Sequence, residues 1–245
     1  MKATAVEPGL SVDTGVVPGA RVGASDLGLT LRRLWRLKWG LAATAVLLLI
    51  VVVAIFAPWI APTDPLAVNI RHRLAPPAWM VGGTSENLLG TDQVGRDLLS
   101  RVVYGGRVSL VVGVTAVLIS ASLGVLLGLG AGYVGGRVDA IIMTVINIML
   151  AFPFILLVLA VIAVLGPSLV NMIIVLGVAD WPLYTRVIRA ETLAIRERDF
   201  VAASRALGLG HARIVFRQIL PNLVSTIVVI ATLQVARVII LESFL

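Results

Sequence analysis

Long apolar runs with few charges separate the polar parts of this chain. Residues 39–60 read WGLAATAVLLLIVVVAIFAPWI and contain no charged side chain. An α-helix needs about 20 such residues to cross the hydrocarbon core of a bilayer. Because 59% of the 245 residues are apolar and the mean hydropathy is +1.02, a water-soluble fold is excluded. The sequence predicts an all-α membrane protein, a polytopic bundle of transmembrane helices.

Five spans can be placed along the sequence. They lie at 39–60, 108–134, 140–165, 169–188 and from about residue 219 onward. The connections between them are rich in Pro, Gly and charged residues, which disfavour a continuous helix through the bilayer.

The polar segments suggest how the chain is divided. Residues 1–38 show no sustained period and end in a basic cluster, so they are interpreted as a cytoplasmic tail that precedes the first transmembrane helix. Residues 61–107 contain several prolines and are interpreted as an extracytoplasmic segment with an interfacial helix. Residues 108–245 are then the core, with a charged cytoplasmic segment at 190–218.

The distribution of basic residues predicts the orientation. With five spans and the tail inside, the inside segments hold 14 Lys or Arg residues and the outside segments hold 5. Basic residues accumulate on the cytoplasmic side of membrane proteins. The N-terminus and residues 190–218 are therefore predicted to be cytoplasmic. The net charge of +7 is explained in this way, and no nucleic-acid partner is predicted.

The most highly charged stretch, residues 191–221, lies between two apolar runs. Good helix formers continue over 196–207, with apolar positions at three- and four-residue spacing. Gly208 and Gly210 then disfavour the helix by about 1 kcal/mol each. An amphipathic helix of this kind can lie at the lipid surface or dock in a groove of a partner protein, and both interpretations stay open on these grounds.

The same stretch resembles the coupling segment, or EAA loop, of bacterial ABC-transporter permease subunits. Residues 202–204, Ala-Ala-Ser, fall on the Glu-Ala-Ala triplet, and Gly208 falls on the family's glycine. Residues 219–221, Ile-Leu-Pro, resemble the family's ending. Ala202 stands where the family has its glutamate. The resemblance assigns contact with an ATPase to Phe200, Ala202, Ala203, Ser204, Arg205, Leu207, Gly208, Leu220 and Pro221.

A second segment carries the same resemblance. Residues 90–101 read GTDQVGRDLLSR, which is similar to the GTD-x-x-GRD-x-x-SR segment before the second span of peptide and nickel permeases. The residues by themselves indicate a solvated loop that leads into an interfacial helix, and this interpretation is compatible with the resemblance.

The resemblance covers residues 85–245 and implies an ABC importer permease of the dipeptide, oligopeptide and nickel branch, in a bacterial inner membrane. It implies several partners: a second homologous permease subunit, two ATPase subunits and an extracytoplasmic substrate-binding protein. ATP and Mg²⁺ would be bound by the ATPase subunits, and no cofactor by this chain. A full-length member would have six spans, so the chain is expected to be truncated or unusually short.

Polar residues inside the predicted spans are candidates for a translocation pathway. Asn147 and Pro153 lie inside the third span, where a buried amide usually bonds to a neighbouring helix and a proline usually kinks its own. Asp180 interrupts the fourth span, where a helix break without a functional role is the alternative. Arg237 and Glu242 are five residues apart and are not expected to pair with each other. The candidate pathway residues are Asn147, Phe152, Pro153, Asp180 and Arg237.

Glycines recur every fourth residue in the second span, at positions 124, 128, 132 and 136. Small residues at this spacing let two membrane helices approach closely. Residues 130–135 also match G-x-G-x-x-G, but no buried strand precedes them, so a dinucleotide site is rejected and packing is preferred.

The sequence does not predict catalysis by this chain itself. No Walker A loop is present, and the only lysines, Lys2 and Lys38, follow no glycine-rich loop. The only histidines, His72 and His211, lie on opposite sides of the predicted membrane, which argues against a histidine metal centre or a nearby triad. Two alternatives to the importer are an ion-gradient-driven secondary transporter with Asp180 and Arg237 near its midplane, and a membrane scaffold that only docks a partner.

Overall fold

The computed structural model describes residues 38–244, and in that range the secondary structure is helical. One isolated β-bridge joins Thr91 and Asp97, and no β-strand occurs among the described residues. The chain divides into two compact units, Met1–Leu48 and Leu49–Leu245. The described part of the first unit, 38–48, belongs to a helix. The prediction of an all-α fold is confirmed for the described part of the chain.

The helices follow one another with short connections, apart from the polar segment after residue 60. They are α1 (Lys38–Ile55), α2 (Ala57–Ile60), a 3₁₀ turn (Ile70–His72), α3 (Leu98–Val134), α4 (Gly136–Leu150), α5 (Phe154–Leu165), α6 (Leu169–Ala179), α7 (Trp181–Arg196), α8 (Asp199–Ala206), α9 (His211–Ile214), a π-helical turn (Val215–Ile219) and α10 (Leu220–Glu242).

Two helical segments among the described residues are long and apolar enough to cross a membrane. They are α3 and the continuous run His211–Glu242, which joins α9, the π-helical turn and α10. The bent pair α4 and α5 meets the same criteria when the two helices are taken together. The described residues then contain three candidate spans if this pair counts as one. The apolar stretch Gly40–Ile55 of α1 is shorter. Five spans therefore remain a prediction.

The central helix, α3, is longer than its predicted span. The Asp97 carboxylate caps its first turn, because Oδ2 accepts a hydrogen bond from the Ser100 amide at 2.7 Å. Gly135 ends it with a backbone φ of +69°, a conformation that favours glycine. One helix of 37 residues thus stands where the sequence suggested an interfacial helix followed by a separate span.

The third and fourth predicted spans are both broken. Between α4 and α5 the axis bends by 83°, and Pro153 stands at the N-cap of α5. Proline has no amide hydrogen to continue the helical ladder, and here the result is a sharp break instead of a kink within one helix. The fourth span is interrupted at Asp180, as expected. However, α7 continues to Arg196, beyond the predicted end at residue 188.

This extension corrects the predicted start of the coupling helix. Arg196 ends α7, and the short helix α8 begins only at Asp199. The last helical run also begins earlier than expected, at His211 instead of near Ile219.

Two buried apolar clusters lie along α3. The first joins α3 to α5, α6, α7 and α10 through Val112, Ala116, Val117, Val158, Val175, Leu176, Ala179, Tyr184 and Val238. The second joins the other part of α3 to α7, α8, α9, the π-helical turn and α10 through Leu129, Ile188, Ile195, Val201, Ile214, Ile219 and Leu223. Since Val201 belongs to α8, the second cluster fixes this short helix against the bundle.

Candidate functional site

A seam of glycines brings α3 into direct contact with α7. The seam consists of Gly124, Gly128 and Gly132. A Cβ atom built on each of these glycines would be under 3.0 Å from a side chain of α7, which shows that the two backbones are too close for a larger residue. The Cβ–Cβ pairs are Gly124 with Tyr184 (2.4 Å), Gly128 with Ile188 (2.8 Å) and Gly132 with Thr192 (2.6 Å).

The fourth glycine of the predicted stripe lies outside the seam. Because α3 ends at Val134, the chain turns at Gly135 and at Gly136, the first residue of α4, with φ values of +69° and +55°. A Cβ atom on Gly136 would meet no other atom within 4 Å. Gly136 therefore serves the turn, and its inclusion in the packing stripe was wrong.

The short helix α8 has one face on the protein and one face exposed. Val201 and Ser204 are buried, whereas Leu207 is 80% exposed and Phe200 is 40% exposed. Ala203 is also exposed, and Phe200, Ala203 and Leu207 follow helical spacing. An apolar stripe thus faces away from the described chain.

Gly208 ends this segment in a left-handed conformation, with φ of +73°. The Leu209 amide donates to the Ser204 carbonyl at 3.1 Å, and the Gly208 amide donates to the Arg205 carbonyl at 2.9 Å. Leu209 then packs on the second apolar cluster. This is the glycine C-cap arrangement, in which the chain reverses and buries an apolar residue just after the helix.

Ser204 attaches α8 to the π-helical turn. Its hydroxyl accepts a hydrogen bond from Gln218 Nε2 at 2.7 Å and donates to the Phe200 carbonyl at 2.8 Å. Leu220 and Pro221 lie further along, in the first turn of α10, where Leu220 is partly buried and proline is well tolerated. Ala202 is exposed.

Tyr133, near the end of α3, contacts α8 and the first residue of α9. The Arg205 guanidinium lies over its ring at 5.6 Å, and its hydroxyl forms a hydrogen bond with Nδ1 of His211 at 2.8 Å. Nearby, Arg196 Nη1 donates to the Gly132 carbonyl at 2.8 Å. Sequence reasoning missed Tyr133, Arg196 and Gln218, because their partners lie far away in the chain.

A second polar group lies inside the bundle, at the break between α6 and α7. Asp180 is only 6% exposed, and its Oδ1 accepts a hydrogen bond from Arg237 Nη1 at 3.1 Å. Its Oδ2 accepts a hydrogen bond from Gln234 Nε2. The Arg237 guanidinium also lies over the Phe154 ring at 5.3 Å. The partner of Asp180 is thus α10, and Gln234 was not predicted.

Two further arginines of α7 contact α4. Arg186 Nη2 donates to Asn147 Oδ1 at 2.8 Å, and Arg189 forms a two-point ion pair with Asp139, in which Nη2 and Oδ2 are 2.6 Å apart. Asn147 therefore contacts a neighbouring helix, as a polar residue in a span is expected to do.

A cavity of about 260 Å³ lies at the helix breaks. Asp180 and Arg237 line it, together with Arg186. Phe152, Pro153 and Asn147 are not among its lining residues. Asn147 is connected to the cavity only by its hydrogen bond with Arg186. Its apolar lining residues are Leu150, Phe154, Ala179, Pro182 and Leu183.

The residues of the second motif form a compact loop before α3. Asp92 Oδ2 lies 2.8 Å from Arg96 Nε and 2.6 Å from Arg101 Nη1. Desolvation raises the pKa of Asp92, but hydrogen bonds from the Arg96 and Val94 amides and from the Arg96 side chain outweigh it and lower the pKa to about 2. The polar residues of the motif therefore contact one another and stabilise the loop.

Asp97 and Gly95 complete this loop. Asp97 Oδ1 accepts a hydrogen bond from Asn87 Nδ2 at 3.0 Å, while its Oδ2 caps α3. Gly95 has a φ of +80°, and a Cβ atom there would lie 1.8 Å from the Asn69 carbonyl oxygen. Any other residue would therefore clash with backbone.

Together, these features define a class of protein: an integral membrane protein whose helices break at Pro153 and at Asp180 and whose short amphipathic helix α8 packs on the bundle. Comparison with known families identifies the class more closely. The family described as "Binding-protein-dependent transport system inner membrane component" matches residues 124–245. The family described as "N-terminal TM domain of oligopeptide transport permease C" matches residues 25–77.

Curated relatives agree with these family matches. The chain is 45% identical to the di/tripeptide transport system permease protein DppC of Pseudomonas aeruginosa, over 80% of this chain and 65% of the relative. It is 42% identical to the dipeptide permease DppC of Haemophilus influenzae, over 79% of this chain and 65% of the relative. A putative peptide transport system permease of Brucella suis is 40% identical, over 91% and 73%.

The chain belongs to the inner-membrane permease family of ABC peptide importers. The family predicted from the two sequence motifs is confirmed. The chain spans 65% of the length of the first two relatives named here.

Proposed function

We propose that this chain is a membrane-spanning subunit of an ATP-driven importer of peptides or a related small solute. In this function it contributes to the translocation pathway and couples to ATPase subunits through α8. The observation that carries the proposal is the apolar stripe of Phe200, Ala203 and Leu207, where Leu207, the C-cap of α8, is 80% exposed although Val201 of the same helix is fully buried. A helix fixed on one side and apolar on the other is suited to a groove on a partner.

The attachments of α8 support its role in transmitting movement. Arg205 and His211 connect the coupling segment to Tyr133 of α3, and Ser204 connects α8 to Gln218. A displacement of α8 by an ATPase would therefore act on α3 and on the base of α10 together. Rigid-body movement of packed helices is a common mechanism for such switches.

The interior polar cluster supports the pathway. Charged side chains inside membrane bundles generally face partners or water-filled cavities and mark the route of a substrate. Here Asp180, Arg186 and Arg237 line one cavity between α4, α5, α7 and α10. Asn147 supports Arg186, and Phe152 and Pro153 form the bend beside this region.

The complete assembly would contain a second homologous permease subunit, two ATPase subunits and an extracytoplasmic substrate-binding protein. ATP and Mg²⁺ would be bound by the ATPase subunits, and hydrolysis would take place there. In this arrangement five spans cross the inner membrane, the N-terminus and residues 190–218 lie in the cytoplasm, and residues 61–107 lie outside. The names of the relatives, which are di/tripeptide and dipeptide permeases, favour short peptides as the substrate.

Reconstitution tests this function. The full-length chain, assembled with its partner subunits in liposomes, is expected to import labelled dialanine only when the binding protein and ATP are both supplied on their proper sides. A proton or sodium gradient without ATP should drive no uptake. Gradient-driven uptake in the absence of ATPase subunits would contradict the proposal and favour a secondary transporter.

A further inference from the structure

We infer that the cavity at the α6–α7 break is a binding site for a carboxylate group, specifically the C-terminal carboxylate of a short peptide. The guanidinium groups of Arg186 and Arg237 would hold it. This inference deepens the proposed function and rests on it, since it names the part of the substrate that the permease itself recognises.

The size of the cavity suits the end of a peptide. Its volume is about 260 Å³, and sites for small molecules typically enclose about 300–1,000 Å³. One terminal residue with its carboxylate therefore fits better than a long peptide. Apolar side chains such as Leu150 and Leu183 cover much of the wall, which leaves the charged groups as the features that orient a ligand.

The charges in the cavity favour an anion. Two guanidinium groups and one carboxylate line it. Both oxygens of the Asp180 carboxylate already accept hydrogen bonds, from Arg237 and Gln234. A ligand ammonium group would find the Asp180 carboxylate buried, already paired with Arg237, and two cations beside it. A ligand carboxylate would instead meet two positively charged donors.

The arginines keep donors for a ligand. Each guanidinium has five N–H donors. Among the described side chains, Arg237 donates through Nη1 to Asp180, and Arg186 donates through Nη2 to Asn147. Both arginines are exposed within the described chain, so their other N–H groups remain accessible. The planar fork of a guanidinium matches a carboxylate through two parallel hydrogen bonds.

The remaining polar residues are positioning residues. Asp180 and Gln234 hold Arg237 through the hydrogen bonds around the Asp180 carboxylate, and the Phe154 ring packs against the same guanidinium. Asn147 holds Arg186 from the end of α4. The helix breaks bring these groups together, because α4, α5, α7 and α10 each supply lining residues.

The test uses the complete importer, assembled with the full-length chain in lipid nanodiscs without the binding protein. Equilibrium dialysis measures the binding of labelled dialanine and of dialanine amide, which differ only in the C-terminal charge. The wild-type complex should bind dialanine about tenfold more tightly than the amide. Arg186→Gln should reduce this preference to less than about twofold.

A second variant guards against loss of assembly. Substituting Arg237 alone would leave the buried Asp180 charge without its partner, which is strongly destabilising. The double variant Asp180→Asn with Arg237→Gln removes both charges and should also abolish the preference. The matched control is Arg107→Gln, an exposed arginine of α3 that does not line this cavity. This control should retain the wild-type preference.

The outcomes separate this inference from the proposed function. Equal affinity of the wild-type complex for dialanine and its amide, or an unchanged preference in Arg186→Gln, would overturn the carboxylate site. ATP-driven uptake of dialanine with the binding protein present would leave the importer function standing in that case. Absence of both uptake and peptide binding in the wild-type complex would overturn both.

Discussion

Gly128 of α3 lies so close to Ile188 of α7 that a Cβ atom on Gly128 would be 2.8 Å from the Ile188 Cβ. This contact belongs to the glycine seam, which lies between the two candidate sites, the polar cavity and the region around α8. At one end of α7 is Asp180 in the polar cavity, and at the other end is Arg196, which donates to the Gly132 carbonyl and directly precedes the turn into α8. Close backbone packing makes α3 and α7 a stiff connection between them.

The first prediction concerns this seam. Gly128→Leu should separate α3 from α7 and lower the thermal stability of the detergent-purified complex, since overpacking costs about 1–3 kcal/mol. The matched control is Gly130→Leu on the same helix, because a Cβ atom at Gly130 meets no other atom within 4 Å. Thermal unfolding and the yield of assembled complex measure the effect. Equal stability of the two variants would show that the seam does not need glycine.

The second prediction concerns the exposed face of α8. Leu207→Asp should weaken docking of the ATPase subunits, because burial of a leucine contributes about 1.5–3 kcal/mol and a charge would replace it. Membrane insertion should be unaffected, since Leu207 lies outside the candidate spans. Retention of the ATPase subunits in pull-downs and substrate-stimulated ATP hydrolysis are the measurements. Wild-type values for both would mean that α8 is only a surface helix.

The third prediction concerns the end of α8. Gly208→Val should lower ATPase stimulation, because the left-handed conformation at φ +73° costs a residue with a Cβ about 1–2 kcal/mol, and a β-branched side chain more. Gly210→Val is the control, since Gly210 has a φ of −64° that other residues adopt readily. Normal stimulation in Gly208→Val would show that the conformation of this turn does not matter for coupling.

The fourth prediction concerns topology. The chain has no cysteine, so single cysteines can be introduced without background. Ser85→Cys should react with a membrane-impermeant maleimide from outside the cell, and Ala212→Cys only after the membrane is opened. Both residues are exposed in the structure. Reaction of residue 85 from the cytoplasmic side alone would reverse the predicted orientation.

The fifth prediction concerns the loop before α3. Because folding lowers the pKa of Asp92 from 3.8 to about 2, its stabilising effect is fully present above the unfolded value and is lost as the pH falls through about 2. The measurement is the rate at which pepsin cuts the wild-type loop, divided by the rate for Asp92→Asn at the same pH. This ratio should be higher near pH 2 than near pH 4. An identical ratio at both pH values would exclude Asp92 as the source of this stability.

Some features follow from the sequence because they depend on neighbouring residues. Apolar runs of lipid length predicted the helical membrane class, and the spacing around Gly208 and in residues 90–101 indicated the permease family. Both conclusions are confirmed. Gly208 could be associated with the end of a helix because the need for a left-handed residue at a helix C-terminus is local. The break at Asp180 was likewise visible from Asp-Trp-Pro in an apolar run.

Other features depended on contacts between distant parts of the chain. The sequence indicated that the glycines allow close packing, but only the fold showed that α7 is their partner and that Gly136 belongs to a turn. The pairing of Asp180 with Arg237, 57 residues away, and the contact of Tyr133 with His211 have no local signal. Helical periodicity determines which face is apolar, whereas the helix that covers this face is selected by packing of the whole bundle.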